Sequence, residues 1–232
     1  MHICVVTATG VRSLSVDAAR RTLGSGSDIV WIDLGHEDRE GMRLLTELVG
    51  AQPDDVDDCS NRMPVPKLHA YADHYFSAIN GLARGEDGRL YFQPLKIFFN
   101  TTLLITVMGP TSKALTPDAV HHDLTLIRER LASGGLRPGS AFELVTAIRL
   151  QMLRTQQSLV TEAATRAAEL EKSVMSIDPV KAETVLNDLF SLRHHLQTIR
   201  TNAAQTHELY VHLIDTLDSQ EGLMRFGRPT PE

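Results

Sequence analysis

Cysteine is scarce in this 232-residue chain, which has two, Cys4 and Cys59, far apart in sequence. That excludes a disulfide framework and a thiolate metal site, and it suits a reducing compartment. Positive charge is short as well. Lys and Arg number 23 against 29 Asp and Glu, giving a net charge of −6 and a pI near 5.9. Phosphate binding needs a basic face, so nucleic acid is not an expected partner. Long apolar runs are missing. The longest, Leu103 to Met108, is strand-sized, well below the roughly 18 to 20 residues that cross a bilayer. Met1-His2-Ile3-Cys4 carries no basic leader, so no signal peptide is expected and the polypeptide as given reads as soluble. Catalytic signatures are also lacking: no Gly-x-Ser-x-Gly elbow, no phosphate-binding Gly-Lys-Ser/Thr loop, and no Gly-x-Gly-x-x-Gly after a strand.

What is present is an ordinary globular composition, 42% hydrophobic and 22% charged, in a chain long enough to bury a sizeable core. His2 to Ala8 predicts a strand and Val16 to Leu23 a short helix capped by Ser15 and ended by Gly24. Asp28 to Leu34 (DIVWIDL) predicts a strand buried on both faces. Glu37 to Val49 predicts an amphipathic helix stopped by Gly50. Tyr75–Arg84 and Arg89–Phe99 flank Gly85-Glu86-Asp87-Gly88, a hairpin signal, with Pro94 expected at an edge or bulge. Leu103 to Met108 adds a further strand. Thr116-Pro117 opens a helix expected to reach Ser133, and Ser140-Ala141-Phe142-Glu143 opens a long one to about Ser176.

Asp178-Pro179 begins a second long helix. Its apolar positions Val185, Leu189, Leu192, Leu196, Ile199, Ala203, Thr206, Tyr210, Leu213 and Leu217 alternate steps of four and three, the seam of a coiled coil. The expected organisation is an α+β unit, a mixed α/β/α sandwich, over residues 1–135. A long antiparallel helical hairpin follows over 140–220, then a flexible tail over 221–232.

The most distinctive stretch lies between Gly50 and Pro66. Pro53 is placed to open a short helix, and Asp54, Asp55, Asp57 and Asp58 fall within five residues. Pro66 then forces extended geometry on the chain before Lys67. Carboxylates at this density suit a hard divalent cation, though the spacing is not that of an EF-hand. The plainer reading is a solvated helix whose acids favour its positive N-terminal end. A second candidate is His121-His122-Asp123, which could form part of a metal-dependent hydrolase site if His69, Asp73 and His74 converged on it. A third is a helical interaction module working through the last helix's seam.

One resemblance orders these elements. Trp31-Ile32-Asp33-Leu34, then a helix ending Leu48-Val49-Gly50, then Pro53 and the Asp57-Asp58 pair, resembles the cytoplasmic domain of CorA-type divalent metal transporters. The likeness continues through Pro66-Lys67, Tyr75-Phe76, Leu95-Lys96-Ile97-Phe98-Phe99 and Leu104-Ile105-Thr106-Val107. It implies an α/β/α sandwich with long helices, on the cytoplasmic side of the cell membrane, in a pentamer of identical subunits. It also implies a regulatory role rather than an enzyme. Mg²⁺, or Co²⁺, Ni²⁺ or Zn²⁺, bound weakly between subunits would hold a channel closed, with Asp58 and its neighbour Asp57 as the ligands from this chain. The stalk helix, both membrane spans and the Gly-Met-Asn pore signature are absent from the sequence, as is the arginine that usually precedes the Pro-Lys pair. The chain is therefore expected to be a fragment, joined to the membrane only through a segment it does not contain. A soluble relative that has lost transport is the other option.

Overall fold

The computed structural model describes residues 1–26, 28–60, 66–175 and 182–218. The expected start of the last helix at Asp178-Pro179 and the expected tail at 221–232 lie outside the described residues. Seven strands form one mixed sheet in the order β2-β1-β3-β7-β6-β5-β4. They are β1 (His2–Thr7), β2 (Gly10–Ser13), β3 (Ile29–Gly35), β4 (Lys67–Ala70), β5 (Tyr75–Arg84), β6 (Leu90–Phe99) and β7 (Leu103–Met108). Only the central β3–β7 pair is parallel; the other neighbours are antiparallel.

The sheet is covered on both faces because its central strands are apolar at most positions on both sides, so alternate residues need two different partners. Val30, Ile32 and Leu34 of β3 pack with Leu103, Ile105 and Val107 of β7 beneath α1 (Val16–Ser25), α2 (Arg39–Val49) and α3 (Pro53–Ser60). Ile29 and Trp31, with Leu95, Ile97, Phe99 and Leu104, face α4 (Pro117–Ala132) and the first half of α5 (Ala141–Met175). Each fully buried side chain of this kind contributes on the order of 1.5–3 kcal/mol. The α/β/α sandwich expected from the sequence is the observed architecture.

The helix ends follow local chemistry. Ser15, Asp38 and Thr116 accept at their caps from the backbone N–H groups of Ala18, Gly41 and Ala119. Gly50 stops α2 in the left-handed region at φ 62°, where a Cβ would be strained. α1 runs two residues past the expected stop, to Gly26 at φ 71°.

Pro94 corrects an expectation, because β6 is an interior strand with β5 and β7 on either side. Pairing with β7 begins at Leu95↔Met108, and the Pro94 carbonyl accepts from Gly109 N at 3.0 Å. A strand residue's N–H and C=O point to the same neighbour, so the missing donor of Pro94 falls where β7 has ended. No bulge is needed.

α5 and α6 (Ala182–Asp218) form the long helical pair, and a third apolar cluster joins them to the far end of the β5–β6 hairpin. Val185, Leu192 and Ile199 are buried there as expected. Leu189 and Leu196 are not; they are 42% and 47% exposed. The inner positions between the buried apolar residues fall one residue earlier, at Asp188, His195, Asn202 and Leu209. Polar side chains fill the first three: Asp188 pairs with Arg166 at 2.5 Å, and Asn202 donates to Gln156 at 3.2 Å. Apolar periodicity cannot register a seam whose alternate positions are polar. The side chains of Leu213 and Leu217 are outside the described residues.

Candidate functional site

α3 is a two-turn helix begun by Pro53, with Asp54 and Asp55 in its first turn. One face must bury against the sheet, and Val56 and Cys59 supply its apolar part. The four aspartates therefore cannot share one environment. Asp55 is 1% exposed and turns toward the sheet edge. Its carboxylate accepts from Tyr71 Oη at 2.6 Å and pairs with His69 Nδ1 at 3.1 Å. Tyr71 in turn stacks on His74 at 4.7 Å between ring centroids. Burial, reinforced by the hydrogen bond to Asp55, pushes the Tyr71 hydroxyl up to about 12.

Asp57 is exposed and Asp58 partly so. Lys67, the first residue of β4, places its ammonium on Asp58 Oδ2. That oxygen has no solvent contact, although the Asp58 side chain as a whole is 20% exposed. Lys67 thus neutralises the carboxylate at an oxygen closed to solvent. A cation is already seated where the sequence points to one.

Lys96 lies beneath α3, fully buried on the interior strand β6. Its ammonium donates to the Gly109 carbonyl. Burial lowers its pKa to about 8, with the nearby Cys59 and Asp58 opposing the shift. Burial likewise pushes the Cys59 thiol up to about 12, so it is an inert packing group.

Donor chemistry fits a hard divalent cation in part. Asp57 and Asp58 offer oxygen ligands at adjacent positions at the end of α3, one exposed and one held by an ammonium. No group of three His, Cys, Asp or Glu residues is arranged to hold a metal among the described residues. What the chain presents here is one exposed carboxylate beside one held by an ammonium.

The histidine candidate is not assembled. Asp123 is buried and faces α5, accepting from Thr155 Oγ1 at 2.6 Å and Gln151 Nε2 at 3.4 Å. His122 is exposed. His69 is held at Asp55 of α3, in the layer across the sheet from α4, and His74 Nδ1 is bonded to Asp73 at 2.8 Å. His121, His122 and Asp123 therefore point in different directions on one helix.

Lys67 and Lys96 are the residues that sequence reasoning missed around the acidic helix. Lys96 had a legible signal, a lone charge in the apolar run Leu95-Lys96-Ile97-Phe98-Phe99. Lys67 had none, because its pairing depends on how α3 is laid against β4. A cleft of about 460 Å³ between the β5–β6 hairpin, α5 and α6 is lined by charges already paired with one another. Arg84 binds Glu162 at 2.7 Å, and Arg166 binds Glu169 at 3.1 Å as well as Asp188.

The sequence matches the profile of one protein family, described as CorA-like Mg2+ transporter protein, over residues 26–225. Comparison with curated proteins gives no match. Several solved structures share the fold. The full-length CmaX protein superposes with a TM-score of 0.63 at 15% identity, over 96% of this chain and 65% of that one. The soluble domain of CorA from Methanocaldococcus jannaschii gives 0.66 at 16% identity, over 97% of this chain and 84% of that one. The complete CorA magnesium transporter from the same organism gives 0.53 at 16% identity, over 94% and 77%. This chain thus spans about two thirds of the CmaX chain. Among the described residues no helix is long and apolar enough to cross a membrane.

Proposed function

The chain belongs to the family of CorA-like Mg2+ transporter proteins, and from that premise we propose that it is the cytoplasmic, ion-sensing domain of a divalent-cation transporter. In this reading it regulates and does not catalyse. The regulatory ion is Mg²⁺, with Co²⁺, Ni²⁺ and Zn²⁺ as further candidates. Asp58, with Asp57 beside it, supplies one half of a weak site, and a carboxylate of an adjacent identical subunit supplies the other. The transporter works as a pentamer, and its contact with the membrane is made by a segment outside this chain.

The observation that carries the proposal is the α3 edge itself. A two-turn acidic helix presents Asp57 to solvent and holds Asp58 against a replaceable ammonium. A bound divalent ion would supply charge neutralisation between facing carboxylates. The chain's own residues set the terms: α3 is anchored through Asp55 to Tyr71 and His69, so Asp57 and Asp58 are presented by a fixed support. Exposed apolar side chains on α6, namely Leu186, Leu189, Phe190 and Leu196, support further contact with another helix.

Sedimentation velocity tests this reading. Adding millimolar Mg²⁺ should shift the chain toward larger species, and Asp58→Ala should abolish the shift. Identical profiles with and without Mg²⁺, or a shift untouched by Asp58→Ala, would count against it.

A further inference from the structure

We infer that Lys67 is a tethered competitor for the cation site at Asp58, so that divalent binding requires its ammonium to leave. The inference rests on the proposed sensing role of Asp58 and adds the residue that sets its affinity. Three observations carry it. Lys67 Nζ sits on Asp58 Oδ2. That same oxygen is closed to solvent while the side chain as a whole is 20% exposed, so an ion that takes this oxygen displaces the ammonium paired with it. Lys67 is itself 33% exposed, with its ammonium 6.0 Å from the Phe76 ring centroid, so the head group can swing into water without disturbing the core.

An ammonium on a four-carbon stem is a mobile, strongly hydrated point charge, well suited to such exchange. When the ion is present the lysine is released to solvent; when it is lost, the lysine closes on Asp58. Asp58 therefore keeps a neutralising partner in both states. Asp57 has no such partner among the described ion pairs. It stays available to the ion throughout.

Paramagnetic broadening of backbone amides by Mn²⁺, at constant ionic strength, provides the test on the intact chain. Lys67→Met removes the charge and keeps most of the stem. It should tighten Mn²⁺ binding about fivefold, the scale of one partly exposed ion pair. Lys67→Arg should restore the parent affinity, and Lys67→Gln serves if the methionine variant fails to fold. Asp58→Asn should abolish broadening around α3, and Lys67→Met should then have no effect. If Asp58→Asn abolishes broadening but neither neutral variant tightens it, the competitor role is overturned and the sensing role stands. If broadening around α3 survives Asp58→Asn, the sensing role itself falls, and the inference with it.

Discussion

Asp58 of α3 and Lys67 of β4 form an ion pair at the rim of the sandwich, at a carboxylate oxygen that is closed to solvent. The neighbouring Asp55, three residues earlier, is buried in a different network. One short helix therefore holds acids with separate duties, and each can be tested separately.

Asp55 is the anchor. Tyr71→Phe deletes the 2.6 Å hydrogen bond to its buried carboxylate and leaves His69 as the remaining side-chain partner. The expected loss is about 1–3 kcal/mol, the usual cost of stranding a buried acceptor. Urea denaturation measures it, and an unchanged midpoint would show that the network carries no stability.

Lys96 should make stability depend on pH. Its folded pKa, about 8, lies below its ordinary value of 10.5. The unfolded chain therefore keeps the proton to higher pH, and stability rises as pH passes from about 8 toward 10.5. Relative to Lys96→Met, the parent should gain about 1 kcal/mol between pH 8 and pH 9. Cys4 and Cys59 pull the other way above pH 9, since burial raises both thiols, but they are common to the two proteins. Urea unfolding across that range reads the difference, which should not stay constant.

Two arginines offer a contrast in ion-pair worth. Arg128 pairs with buried Asp33, which also accepts from Thr106 Oγ1 at 2.7 Å, and it lies 4.9 Å from the Trp31 ring centroid. Arg128→Ala strands that carboxylate and should cost about 3 kcal/mol. Arg20 pairs with Glu47 at 2.5 Å, with both side chains at least half exposed. Arg20→Ala should change stability by no more than about 0.5 kcal/mol. Equal losses in thermal unfolding would contradict the assignment of buried and exposed pairs.

The helical pair makes a sharper distinction. Leu192 is 8% exposed and Leu196 is 47% exposed, although both fit the apolar repeat. Leu192→Asp should cost about 3 kcal/mol or more, because it buries a charge and opens the packing. Leu196→Asp should leave the melting curve within the range of surface changes, about 0.5 kcal/mol. Circular dichroism melts of the two variants decide which register is correct.

Much of the fold was legible in the sequence. The strands of DIVWIDL and LLITVM announced themselves by near-continuous apolar content. The β5–β6 hairpin was marked by Gly85 and Gly88, and α4 by Thr116-Pro117. β2 escaped because Val11 and Arg12 pair only through a hairpin with β1, and four residues carry little pattern. The α6 seam was misread at Leu189 and Leu196 because Asp188, His195 and Asn202 take inner positions that apolar counting assigns elsewhere. The candidate site was legible as a cluster of aspartates, narrowed to Asp57 and Asp58 only by the family resemblance. Their division into an anchor at Asp55, a lysine-bound carboxylate at Asp58 and an exposed neighbour at Asp57 depends on which way α3 turns against the sheet. That orientation is set by Val56 and Cys59 packing and by Tyr71 and Lys67 arriving from β4 and the loop after it, contacts beyond the reach of a local sequence pattern.

Whether Asp58 is a divalent-cation ligand is decided by a Mg²⁺ titration followed by backbone amide shifts. Resonances of Asp57 to Ser60 and of Lys67 to Tyr71 should move together at millimolar Mg²⁺, saturate, and stay still in Asp58→Asn. Shifts that miss this segment, or that persist unchanged in Asp58→Asn, would contradict the account.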